Sequence, residues 1–198
     1  MPVKLFGKWD TTGIEVRDPG LVRYISLKPV VVPKTRGRAR KQFHKSSMHI
    51  VERLITRIFV PGHRGKKHYI TSGHCTGKYE TAWKIVKRCF EIVEKKTGKN
   101  PVEVFVRAVE NAALREEIAS YQVGGIIVRK AVVTSPQRRV DLALRLMVQG
   151  AYQKMKSGAR DFASVLAGEI ISAYRKDPQG SHALREKERI EREAAGAR

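Results

Sequence analysis

The chain has 198 residues, with 40 Lys+Arg against 19 Asp+Glu, a net charge of +21, and 41% hydrophobic residues. That apolar share supports a packed core and excludes wholesale disorder. A charge surplus of this size repels itself on a compact body and demands a polyanionic partner, nucleic acid above all.

A membrane is the rival polyanion, but no apolar run approaches the roughly 20 residues that span a bilayer. The start, Met1 to Trp9, is too poor in apolar residues for a signal peptide, and no lipidation motif stands at either end. No membrane partner is expected. Two cysteines, Cys75 and Cys89, make no disulfide framework, so a reducing cytoplasm is the expected compartment.

Residues 1–45 carry Gly, Pro and short apolar stretches such as Val30, Val31 and Val32, without helical period. The segment then turns basic through Lys34, Arg36, Arg38, Arg40, Lys41 and Lys45, with no acid among them. It reads as a basic N-terminal extension, solvated alone and ordered on nucleic acid. A helix is predicted from Ser46 or Ser47, either able to cap it, with Ile50, Val51, Leu54, Ile55, Ile58 and Phe59 inward. Pro61 and Gly62 end it. The loop over 63–77 is rich in glycine, carries Arg64, Lys66 and Lys67, and reads as an exposed insertion. His63, His68, His74 and Cys75 within it lack the tight ligand pairs of a zinc loop. They read as hydrogen-bond donors on a basic loop, and no metal is expected.

The next helix is predicted over 78–96, with Ala82, Ile85, Val86, Cys89, Phe90 and Val93 buried and Gly98 as its stop. Asn100, Pro101 and Glu103 open another, as cap, first-turn proline and capping-box acid. Its inward stripe is Val104, Phe105, Ala108, Val109 and Ala112. From 116 the period falls to two. Two runs of β-formers flank Gly124 and Gly125, both able to take positive φ, which predicts a hairpin over 116–134. Such a ribbon is marginal alone, so its base leans on the helices and its tip extends. Ser135 and Pro136 start a further helix, Ser157 and Gly158 separate it from another, and 177–180 break the chain again. The stretch 181–198 is highly charged with little apolar content, and reads as a frayed or partner-dependent helix.

The predicted fold is mainly α. A basic extension (1–45) precedes one helical domain of about six helices (46–180), from which a two-stranded β-hairpin protrudes; a charged helical tail (181–198) follows.

No catalytic constellation is present: no phosphate-cradling Gly loop with Lys and Ser/Thr, no nucleophile elbow, no zincin motif. Cys89 sits on an apolar stripe and reads as a core residue. Glu103 and Glu110 lie seven apart on one helix, where capping and ion pairing account for them. Neither catalysis nor a cofactor is expected. A DNA-binding regulator would need a helix-turn-helix or a dimerisation seam, and neither stands at convincing spacing. Arg138 and Arg139 fall in the first turn of a predicted helix. Cations are unfavourable there for an isolated helix but favourable for gripping phosphate.

Ala108-Val109-Glu110-Asn111, then Val123-Gly124-Gly125, then Ser135-Pro136-Gln137-Arg138-Arg139, stand in the order and spacing of a known signature. The chain resembles small-subunit ribosomal protein family seven, which is number five in eukaryotic nomenclature, over about 42–198. The long N-terminal extension and the insertion near 60–77 resemble the archaeal and eukaryotic branch, as does the ending from Leu184 to Arg192. The resemblance implies a helical globule with a protruding hairpin, a structural constituent of the cytoplasmic ribosome. It further implies a primary assembly protein that binds the 3′ major domain of small-subunit ribosomal RNA and nucleates the head. Implied neighbours are ribosomal proteins nine, eleven and thirteen, with exit-site tRNA and the mRNA exit path nearby. Bacterial members often carry two basic residues where this chain has Tyr121 and Gln122, so Arg129 and Lys130 are the hairpin's candidates. The full set of expected RNA contacts is Lys34, Arg36, Arg38, Arg40, Lys41, Lys45, Arg64, Lys66, Lys67, Arg129, Lys130, Arg138 and Arg139.

Overall fold

Seven α-helices and one β-hairpin form along the described chain, mostly where the apolar periods place them. The computed structural model describes residues 3–35, 40–62, 72–158 and 161–197. In order, the helices are α1 (His44–Ser47), α2 (Ile50–Arg57), α3 (Tyr79–Thr97), α4 (Pro101–Ala112), α5 (Pro136–Lys156), α6 (Phe162–Tyr174) and α7 (His182–Ala195). The strands β1 (Glu116–Val123) and β2 (Ile126–Val133) stand between α4 and α5. The mainly helical fold with a hairpin is as expected.

Helix α6 is the hub, packed against α3, α4, α5 and α7. Its sequence explains the position: FASVLAGEIISAY is apolar nearly all round, and such a helix is stable only when surrounded. Local chemistry sets the ends of its neighbours. Helix α3 stops at Gly98, whose φ of 65° is left-handed and cheap for glycine. Helix α4 starts because Asn100 Oδ1 accepts the Val102 N–H at 3.0 Å and Pro101 fits the first turn.

The hairpin pairs Glu116 with Val133 through to Val123 with Ile126. Gly124 and Gly125 turn it with φ of 53° and 85°, the geometry their sequence predicts. Its base rests on α7, while the tip stands in solvent with Ile126 and Ile127 about 70% exposed.

Helix α2 begins later than predicted. Ser46 and Ser47 belong to the short α1, and His49 is the cap, its Nδ1 accepting the Val51 N–H at 3.2 Å. That bond requires a neutral imidazole. Burial presses the His49 pKa from 6.5 down to about 4. Above pH 6.5 the ring is neutral folded and unfolded, so it adds no pH dependence. Between 6.5 and about 4 only the unfolded chain takes the proton, so stability falls with pH across that window. The loss reaches about 3 kcal/mol from this shift. Urea unfolding from pH 7 to 4 should show the decline, and His49→Asn, which keeps a capping acceptor, should flatten it. An undiminished decline in His49→Asn would assign it to other groups.

Residues 3–35, set apart by composition in the sequence, are built into the body. Leu5, Phe6, Trp9, Leu21 and Ile25 belong to the same buried cluster as the helices. Phe6 meets Trp83 edge-on at 5.3 Å, and Trp9 meets Phe90 at 5.8 Å. The strap lacks helical period because its backbone bonds partly to itself in turns, such as Leu5 with Trp9 and Leu21 with Tyr24, and partly to distant side chains. Asn100 Nδ2 donates to the Asp10 carbonyl at 2.7 Å, and Glu110 Oε1 accepts the Arg17 and Asp18 N–H groups. The C-terminal stretch likewise departs from a frayed helix: α7 buries His182, Ala183, Leu184 and Ala194. Few apolar residues suffice because polar bonds at its N-terminus fasten it. Among the described residues, no helix is long and apolar enough to cross a membrane.

Candidate nucleic-acid interface

On α5, Arg138, Asp141 and Arg145 recur at i, i+3 and i+7, on the side away from Val140, Ala143, Leu144 and Met147. The chain leading into α1 lies across from them. Between the two runs lies a groove of about 490 Å³, with Lys41, Lys45, Arg138 and Arg145 as cations and Asp141 as its carboxylate. Asp141 Oδ1 accepts Lys45 Nζ at 2.8 Å and Arg53 Nη2 at 2.9 Å. Arg53 is buried and also donates to the Tyr24 carbonyl at 2.8 Å. Burial works against ionising Asp141, but the Lys45 and Arg53 hydrogen bonds outweigh it and hold its pKa below the ordinary carboxylate value. One carboxylate therefore serves two cations, and the groove keeps a positive surplus.

Phe43 forms part of the same wall, 61% exposed and at φ 64°, a left-handed conformation unusual for a bulky residue. An exposed aromatic beside clustered cations suits an unpaired base stacked over its phosphate.

The structure divides the predicted contact residues. Lys41 and Lys45 come together with Arg138 in the groove, and Arg40 is exposed just before it. Lys34 lies over the Tyr79 ring at 5.0 Å, away from that set. Arg129 and Lys130 are exposed on β2 opposite Ser120 and Ala119, so they point to opposite faces of the ribbon. Arg36, Arg38, Arg64, Lys66 and Lys67 lie outside the described residues, as do His63 and His68.

Arg138 and Arg139 part company. Arg138 grips Glu117 with two bonds of 2.6 and 2.8 Å, yet its side chain is 52% exposed. The fork is bidentate, but with Arg138 half exposed a phosphate can compete for the same donors. Arg139 is fastened inward, to the Leu114 carbonyl at 2.8 Å and Asp18 at 2.6 Å. It bolts the strap to α5. The signature residues Glu110 and Asn111 are ties as well. Glu110 takes Arg107 at 2.9 Å besides the strap, and Asn111 Nδ2 donates to the Ala173 and Tyr174 carbonyls at the end of α6.

Sequence reasoning passed over Arg57, Arg145 and Phe43. A signal existed for the first: Arg53 and Arg57 stand four apart within the apolar run of α2, one stripe of guanidinium on a core-facing helix. Nothing local marks Phe43.

Cys89 is fully buried, and burial, with Asp161 adding to it, pushes its thiol pKa far up, as suits a core residue. Among the described residues no group of three or more His, Cys, Asp or Glu is placed to hold a metal.

A helical body presenting a cationic groove and a projecting ribbon defines a protein built to meet a folded polyanion. The sequence profile described as ribosomal protein S7p/S5e matches residues 21–198. The small ribosomal subunit protein uS7 of Nanoarchaeum equitans is 49% identical, with both chains covered completely. The protein of the same description from Methanococcoides burtonii is 45% identical over 98% of this chain and 99% of its own length. The chain belongs to the ribosomal protein S7p/S5e family, a family of structural ribosomal proteins and not of enzymes. Both relatives are archaeal, in line with the branch that the extension and insertion resemble.

Proposed function

We propose that the protein is a structural, RNA-binding constituent of the small subunit of the cytoplasmic ribosome, docking on ribosomal RNA through the α1–α5 groove and the hairpin. The observation that carries this reading is the groove's unbalanced charge, four lining cations against one carboxylate, in a chain of this family. Phosphates would supply the missing negative charge, and release of counterions would supply much of the affinity. Phosphate contacts fix register, and Phe43 offers a stacking face for a looped-out base.

The finer reading follows from the family resemblance. The RNA is the 3′ major domain, and the protein nucleates head assembly as a primary binder. Exit-site tRNA and the mRNA exit path lie beside the hairpin and α7, with ribosomal proteins nine, eleven and thirteen as neighbours. The hairpin's exposed apolar tip, including Tyr121, Val123 and Ile126, favours a contact of its own beyond the groove.

The test is filter binding of the full chain to a 3′ major-domain transcript over a salt series. Replacing exposed Lys41 and Arg129 together by Ala should weaken binding and make the log K against log salt slope shallower, by about one for each phosphate no longer neutralised. An unchanged slope would remove both residues from the interface. Folded wild-type chain that ignores the transcript would remove the reading itself.

A further inference from the structure

Behind the groove, α2 and α5 enclose a narrower pocket of about 160 Å³, whose charged lining is Lys45, Arg53, Arg57, Arg145 and Asp141. The Asp141 carboxylate already serves Lys45 and Arg53. Among the described residues Arg57 and Arg145 have no such partner. The Nε and Nη2 of Arg57 and the Nε of Arg145 are buried atoms without a hydrogen-bond partner among the described residues. Two guanidiniums therefore sit close together with three donors withdrawn from water and unsatisfied.

That arrangement is unfavourable for the chain alone. Buried N–H donors are almost always paired, and like charges in a partly dry pocket repel. Burial, then the neighbouring Arg145 charge, press the Arg57 pKa below its ordinary value, yet arginine keeps its proton. Water fits a pocket of this volume, but only an oxygen-rich anion would also offset the two like charges. The pocket opens beside the groove that the RNA is proposed to occupy, sharing Lys45, Asp141 and Arg145 with it.

We propose that Arg57 and Arg145 form a dedicated site for one backbone phosphate of the bound RNA, deeper than the other groove contacts and specific for two guanidiniums. The inference rests on the RNA-binding reading above and adds the residues that anchor it. Guanidinium suits the task because its planar fork can present two N–H groups to one phosphate. Neither residue is a strut of the fold: without the anion the pair strains the chain.

That last property makes the site testable apart from RNA binding in general. Arg57→Gln and Arg145→Gln in the full chain each remove one of the two like charges, and Arg192→Gln, exposed on α7, controls for loss of any one charge. In phosphate-free buffer the two pocket variants should melt no lower than wild type. Inorganic phosphate should raise the wild-type melting temperature and leave the pocket variants nearly unmoved, because only the folded site binds it. Each pocket variant should bind the 3′ major-domain transcript about tenfold or more weakly, the scale of a charge-assisted bond. Arg192→Gln should change little.

Pocket variants that melt lower without anion would make the pair structural and overturn the proposal. So would transcript binding equal to that of Arg192→Gln, and if phosphate still stabilised wild type, free phosphate would be the pocket's ligand. Wild-type chain that stays folded and ignores the transcript would fail the RNA-binding reading instead. The phosphate arm would then judge the pocket alone, and no stabilisation by phosphate would end the proposal too.

Discussion

Trp9→Ala should lower the stability of the chain by about 3–5 kcal/mol, the range for truncating a large buried aromatic. The residue is 4% exposed, although it lies in the N-terminal extension, whose sequence shows no helical period. Its ring stands edge-on to Phe6 at 5.9 Å and to Phe90 at 5.8 Å, and Phe90 in turn meets Phe105 at 5.7 Å. Removing the indole opens a cavity where the strap crosses α3 and α4. Leu5, Phe6, Leu21 and Ile25 are buried in the same cluster, and polar ties add to them: the Lys8–Glu91 ion pair, Asn100 to Asp10, and Glu110 to the Arg17 and Asp18 amides. Trp9→Phe should cost much less, because among the described residues the buried indole Nε1 has no partner and its loss leaves nothing newly unpaired. Urea midpoints compare the three chains. A Trp9→Ala loss under about 1 kcal/mol would return the strap to the solvent, since typical surface changes stay within that range.

What the sequence made legible was local. Gly124-Gly125 between two β-forming runs specifies a turn through its own φ requirements, and the turn is there. Asn100-Pro101 starts a helix with groups one or two residues away. The stripes of α3 and α4 are legible because a single period of 3.6 aims the apolar residues of each at one core. The strap obeys no period, since Leu5, Phe6, Trp9, Leu21 and Ile25 reach the core from irregular backbone, some of whose hydrogen bonds end on residues some 90 positions away. No window of sequence contains both ends of such a bond. That Arg139, expected to grip phosphate, is fastened inward was hidden for the same reason. Its first-turn position is visible locally, but Asp18, its partner, is 121 residues distant. Arg57 and Arg145 show the converse: only the fold brings two guanidiniums into one pocket with their shared neighbourhood's carboxylate already spent.

The second large effect is expected at Glu169, the one charged residue of α6 and fully buried. Its Oε1 accepts the Ser181 hydroxyl at 2.8 Å and the Ala183 N–H at 3.0 Å, while Oε2 accepts Lys154 Nζ at 3.0 Å. A carboxylate from the central helix thus caps α7, where unpaired N–H groups and the helix dipole favour negative charge. Helix α5 passes close at the same point. A side chain at Gly150 would place its Cβ 2.5 Å from His182 Cβ, so the small residue is what lets the α7 start lie down there. Glu169→Ala leaves the Ala183 N–H and the Ser181 hydroxyl without their acceptor in a dry site, an effect of about 1–3 kcal/mol, while Lys154, partly exposed, keeps the Gly180 carbonyl at 2.6 Å. The damage should also travel. Helix α7 supports the hairpin base, and its Glu191 accepts the Arg115 N–H at 2.9 Å just before β1. Amide exchange should therefore speed up over α7 and over the first residues of β1 together, with α3 and α4 still protected. Glu169→Gln, which keeps one acceptor oxygen but faces Lys154 without charge, should fall between. If α7 keeps its protection in Glu169→Ala, then its few apolar contacts hold it unaided, and the buried carboxylate is not its anchor.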